Sequence, residues 1–246
     1  THSVNDLQSA VLHAQWTVSY YNDSTKEYIH HEHNILPHVT PLLKKLTNNK
    51  SNNQSDRQVA LEALNLVWSI FIDVQSCAQS AVAVPSFIPS LVTASIYRDQ
   101  GYRMKRECKH ADDIRIMSLL CIFHIIRVDA PSALKVMLND GQYVNALIRS
   151  VGAAGGSEEE NRNVKFQGFE NMNIIVSQMH GEEYPQQTLP VLLKGIQELL
   201  IEEGADEEFN ACLFHTVDEI LIQQDAYQVI KALLNSYQDD TNGNQQ

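Results

Sequence analysis

Glycine and proline are scarce. The 10 Gly and 7 Pro among 246 residues make about 7% of the chain against roughly 12% in average usage. The backbone therefore carries few helix breakers, and collagen-like or low-complexity readings are excluded. Positive charge is also in short supply. Lys and Arg number 18 against 30 Asp and Glu, a net charge of −12, which disfavours contact with nucleic-acid phosphates or anionic lipid, because both need clustered cations. No uninterrupted apolar run reaches the ~18 residues of a transmembrane helix, and Thr1, His2 and Ser3 do not begin the basic, apolar, small-residue progression of a secretory signal. These absences predict a soluble, helix-rich chain without nucleic-acid or membrane partners. Thr1 in the place of an initiator Met fits a fragment or a processed form.

Cysteine chemistry is thin. Cys77, Cys108, Cys121 and Cys212 are spaced by 31, 13 and 91 residues, which offers no C-x-x-C pair, no zinc-type spacing and no disulfide framework. Cys121 and Cys212 sit inside apolar helical stretches, where a free thiol behaves as a small hydrophobe. A reduced, cytosolic or nuclear protein is expected. Gly-rich phosphate loops and G-x-S-x-G elbows are missing too, and the glycines of 152–156 follow a helix in place of a strand. No catalytic residue and no cofactor is assigned, and the expected protein is not an enzyme.

What the sequence does contain is a recurring helical phrase. In 56–73, Ala60, Ala63, Leu64, Val67, Trp68 and Phe71 fall at i, i+3, i+4, i+7, i+8 and i+11, a wide apolar stripe opened by Asp56 as N-cap. Segments 112–127, 163–179 and 206–223 have similar length and an acidic or Asn start. After three of the long helices comes an apolar pair with Pro: Ile35-Leu36-Pro37, Phe87-Ile88-Pro89 and Leu189-Pro190, with Tyr143-Val144 as a copy lacking Pro. Proline is tolerated in a first helical turn, where its missing N–H has no intrahelical partner, so these phrases predict helix starts. Small residues inside the long helices, Ala10, Ala63, Ser118, Gly168 and Cys212, recur at spacings of 53, 55, 50 and 44. A small side chain there lets successive helices approach closely.

A long helix with a small-x-x-small-Leu core, a short helix and a helix opened by Ile-Pro-x-Leu resembles the armadillo repeat, with HEAT repeats as close relatives. The resemblance spans nearly the whole chain. It implies an all-α, right-handed α-solenoid of about four to five repeats forming one domain over 1–238, with units near 6–46, 56–97, 111–151, 163–202 and 205–238 and a polar tail at 239–246. It also implies a non-catalytic scaffold or adaptor that binds a partner protein segment on its concave face. The third helix of each armadillo unit lines that face, which makes Glu62, Asn65, Ser69, His124, Asn171 and Asp218 the candidate contacts. On the second long helix the polar stripe Gln58, Glu62, Asn65, Ser69 and Asp73 is expected to face away from the apolar one. The importin-like version of the family places an Asn on each long helix to hold an extended peptide. Here the equivalent positions are Leu66, Cys121, Asn171 and His215, so a full Asn ladder is missing.

Two charged stretches offer further surfaces. Residues 98–109 hold five basic side chains, Arg103, Lys105 and Arg106 among them, against Asp99 and Glu107. Such a loop suits an acidic partner and supports the alternative of a cytoskeleton- or microtubule-associated repeat domain. Residues 153–209 hold twelve acidic residues against Arg162, Lys165 and Lys194, which suits a basic partner segment. The cluster His30, His31, Glu32, His33 and His38 contains a single His-Glu neighbour pair, too few for the di-iron sites of some HEAT-repeat hydroxylases, and is expected to be a solvated short helix without metal.

Overall fold

The computed structural model describes residues 4–48, 54–98, 109–138, 142–152, 161–180, 190–214 and 220–235. All regular structure among them is helical, and the chain divides into two compact units, Thr1–Gln142 and Tyr143–Gln246.

In the first unit a long helix, a short one and a third helix follow each other twice. The first set is α1 (Val4–Tyr20), α2 (Asp23–His31) and α3 (Ile35–Asn48); the second is α4 (Gln54–Asp73), α5 (Gln75–Ser80) and α6 (Phe87–Ser95). A third long helix, α7 (Lys109–Leu138), breaks at Asp129, whose φ of −146° and ψ of 68° leave the helical region. Asp129 Oδ1 accepts the Ser132 N–H at 3.2 Å. It thus caps the stretch that follows, with Pro131 in the first turn where its lost donor costs nothing.

The Pro phrases begin helices as predicted. Pro37 is the third residue of α3 and Pro89 the third of α6. Asn22 holds the start of α2 by accepting the Thr25 N–H at 3.1 Å. Helix α6 begins after Ser86 in the left-handed region, at φ 63°.

Packing follows the order of the sets. Helix α4 packs on α1, α3 and α7; α6 packs on α3 and α7; α2 packs on α4 and α5 on α7. Of the predicted stripe on α4, Ala60, Ala63, Leu64, Val67 and Phe71 are buried and Trp68 is half-buried. Leu61, Leu66 and Ile70 are buried too, so α4 is apolar almost all round, as a helix covered on several sides must be. The Phe71 and Phe87 rings meet edge to face at 6.3 Å. Helix α7 is long and apolar enough by length and composition to cross a membrane, with a mean hydropathy of 1.5. Its Ile114, Leu119, Ile122, Ile125 and Ile126 are nevertheless buried within this unit. Fully buried Arg115 donates from Nε to Ser95 O at 3.2 Å, which satisfies a carbonyl at the end of α6.

The second unit contains α8 (Gln142–Val151), α9 (Arg162–His180), α10 (Pro190–Glu202), α11 (Ala205–Phe214) and α12 (Ile220–Asn235). Pro190 is the first described residue of α10; residues 181–189 lie outside the described set. The predicted helix 206–223 corresponds to α11 and the start of α12; residues 215–219 lie outside the described set. Helix α12 packs on α9 and α11, and α11 on α10. Phe169 and Phe209 stack at 5.8 Å, and Cys212 Sγ donates to Val151 O at 3.5 Å.

Gly168 is buried where α9 meets α8: a Cβ there would stand 2.9 Å from Val151 Cγ1 and closer still to Ser150 Oγ. A side chain at this position must push the two helices apart. Gly168→Val should therefore lower stability by about 1–3 kcal/mol, the usual cost of overpacking. Urea denaturation followed by circular dichroism measures it, and an unchanged midpoint would show that α8 and α9 do not meet at Gly168.

Candidate functional site

The long helices α1 and α4 run side by side in parallel register. His13 Nδ1 lies 3.1 Å from Glu62 Oε2, and the Ser19 and Ser69 hydroxyls lie 3.1 Å apart. These partners are separated by 49 and 50 residues, so position on one helix advances with position on the other. Glu62 also accepts from Gln58 Nε2 at 2.7 Å. At the far end of the seam, buried Lys26 of α2 pairs with Asp73 and lies 3.4 Å from Asp23.

This arrangement corrects one expectation. The middle of the stripe does not look out to solvent: Glu62 is 6% and Ser69 1% exposed, while Gln58 is half-buried and Asp73, at the end of α4, is exposed as expected. The reason is that α1 meets it with His13 and Ser19, so two polar stripes bury each other, and each buried polar atom needs a partner. Glu62 and Ser69 are thus joined to α1. Asn65, between them, is half-buried.

His124 of α7 is half-buried, with its ring edge-on to Phe123 at 5.7 Å. Burial and then the Arg127 charge lower its pKa, while the Asp73 carboxylate works the other way, so the neutral ring is favoured. Asn171 belongs to the second unit, fully buried, accepting from Tyr143 Oη at 3.2 Å and donating to Gln167 O at 2.9 Å. Asp218, Arg103, Lys105 and Arg106 lie outside the described residues.

Helices α1 and α4 each also carry an indole. The chain has 2 Trp, and both indole Nε1–H groups, Trp16 on α1 and Trp68 on α4, are shielded from water with no acceptor among the described residues. Trp16 stacks between His13 at 5.4 Å and Tyr20 at 6.1 Å. By the register of its neighbours, Trp16 stands level with Asn65. His13, Trp16 and Ser19 were missed from the sequence because only the offset to α4, which a tertiary contact sets, singles them out.

Elsewhere the described residues offer little for bond-making. Burial pushes the Cys77 thiol up to about 12 and raises that of Cys121 as well, with Cys77 adding to the shift, so neither supplies a thiolate near neutrality. His30 and His31 rings lie 4.6 Å apart; burial first and His31 second lower the His30 pKa. His38 faces α1 through Val11 and Leu12. No group of three or more His, Cys, Asp or Glu among the described residues is arranged to hold a metal ion. No model of a known protein family matches the chain, and no curated protein matches it.

Asp225 on α12 is the most displaced carboxyl, raised from 3.8 to about 6 by burial and then by Glu170. Its folded pKa stands above the unfolded one. Between those values the native state holds a proton that the unfolded state has released, so stability falls as pH rises through the window from 3.8 to about 6. Asp225→Asn should raise the melting temperature near neutral pH, and the gain should vanish as the pH drops below the window. Thermal scans across this range check it; a pH-independent difference would place the effect elsewhere.

Proposed function

We propose that this chain is a non-catalytic protein-interaction scaffold, built of armadillo/HEAT-like repeats, that binds an extended partner segment along the face formed by α1, α4 and α7. Support for a solenoid comes from the packing order: long helix on long helix (α1, α4, α7) and third helix on third helix (α3, α6). Serial contacts between helices of like role are the mark of stacked repeats. The parallel register of α1 and α4 fits the same scheme, since repeated units present equivalent helices in the same direction. The apolar character of α7 then belongs to a central helix of the stack, in a protein of the cytosol or nucleus.

The observation that carries peptide binding is the set of half-buried polar groups on successive long helices, Asn65 of α4 and His124 of α7, where helices of like role pack in series. An extended backbone laid along this face meets the Asn65 side-chain amide with both a carbonyl and an N–H. Sequence specificity then falls to side chains at the seam's edges, His124 among them. Nothing in the described residues favours the cytoskeletal alternative, whose basic contacts at Arg103, Lys105 and Arg106 lie outside them.

Because Trp16 and Trp68 are the only tryptophans, intrinsic fluorescence reports directly on this face. Peptides selected from a displayed random library should shift the indole emission on binding. The combined substitution Asn65→Ala and His124→Ala should weaken them by about tenfold, roughly 1.4 kcal/mol. Selected binders that leave both emission and the variant's affinity unchanged would place the binding surface elsewhere.

A further inference from the structure

In the second unit the contacts of α10 with α11 and of α11 with α12 leave a cleft of ≈ 440 Å³, within the roughly 300–1,000 Å³ common to ligand clefts. Leu200 and Ile201 of α10, Phe209 of α11 and Ile230 and Leu233 of α12 form its walls. The apolar surface does not stop at the cleft: Ile201 is 58% exposed, and Phe214, one turn beyond the lining residue Asn210, is 86% exposed. Burying such side chains against a partner is favourable in proportion to the area removed from water.

The mouth is acidic. Asp206 lines it, and Glu202, Glu203 and Glu207 are exposed on the adjoining turns. Over 190–214 and 220–235 the sequence places seven carboxylates (Glu198, Glu202, Glu203, Asp206, Glu207, Glu208, Asp225) against Lys194 and Lys231. Lys194 is already near Glu198, at 3.9 Å. Glu203 accepts from Asn145 at 2.9 Å. The negative field over an apolar floor is complementary to a cationic, amphipathic occupant and repels anionic lipid. A second copy of this chain, at net −12, is disfavoured by the same field.

We propose that this cleft is a second docking site, separate from the face of α1, α4 and α7, and that it takes a basic amphipathic protein segment. One or two large apolar side chains seat among Leu200, Phe209 and Ile230, and flanking Lys or Arg residues meet Glu202, Asp206 and Glu207. A small organic cation fits less well, because the carboxylates ring the mouth in place of the floor and the apolar surface continues outward to Phe214. The charges set association rate and salt dependence; the apolar anchor sets residence.

The test uses the full-length chain and three fluorescent helical peptides of equal length: alternating Lys and Leu blocks, the same with Ser for Leu, and the same with Glu for Lys. Anisotropy titrations should show the Lys/Leu peptide binding at least tenfold more tightly than either of the others, with affinity falling as salt rises. Ile201→Glu should weaken it at least tenfold. That substitution adds negative charge at an exposed position, so its loss reads the apolar contact alone. Asp206→Lys with Glu207→Lys should also weaken it, whereas Glu27→Lys with Glu32→Lys, equal in charge and exposed in the first unit, should not. Equal binding of the Lys/Leu and Lys/Ser peptides, or indifference to Ile201→Glu, overturns the proposal. So does a dimer, seen by sedimentation, that Ile201→Glu disperses and the Lys/Leu peptide displaces, since the occupant is then a second copy.

Discussion

The burial of α4 is the constraint round which the first unit is organised. This helix is covered by α1, α3 and α7, and a helix enclosed on three sides cannot hide its polar residues on a free face. Gln58, Glu62 and Ser69 lie within the contact with α1, where the low dielectric makes an unpaired polar group costly. His13 and Ser19 answer two of them in register. These contacts favour one register: sliding α1 along α4 by one turn would break both, leaving Glu62 to Gln58 and the two hydroxyls to carbonyls of their own helices. Apolar packing brings the helices together, and these hydrogen bonds fix the level at which they meet.

Pairing is incomplete at Trp16 and Trp68, whose buried indole N–H groups have no acceptor among the described residues. Cavities and overpacking are avoided elsewhere by small residues, as Gly168 shows where α9 meets α8. In the second unit the short α11 leaves its neighbours apart, and a cleft with an acidic mouth results. These features are the basis of the two surfaces proposed: one polar, on the long helices, for a peptide backbone, and one apolar with an anionic rim for a cationic amphipathic segment.

Helix starts were the most legible feature, because their cause is local. Pro37 and Pro89 mark the first turns of α3 and α6, as the missing N–H requires. The apolar stripe on α4 was legible for the same reason: 3.6-residue periodicity needs no knowledge of neighbours. The stretch 130–138 beyond the break in α7 was not anticipated, although Asp129 followed two residues later by Pro131 carries the signal of a cap and a new first turn. The direction of the polar stripe was read wrongly, because whether polar residues face water or another polar stripe depends on a helix 50 residues away. For Glu62 and Ser69 the sequence grouped them on one face of α4 but did not show that α1 lies against it.

The parallel register of α1 on α4 underlies both the proposed repeat architecture and the proposed peptide-binding face, and cross-linking tests it most directly. With Ser19 and Ser69 both replaced by Cys, mild oxidation and peptide mapping by mass spectrometry should recover an intramolecular disulfide in high yield, because the two hydroxyls stand 3.1 Å apart. Cys at 19 paired with Cys at 58, three turns back along α4, should give none. Equal yields from the two pairs, or no cross-link between 19 and 69, would contradict the register and the stack built on it.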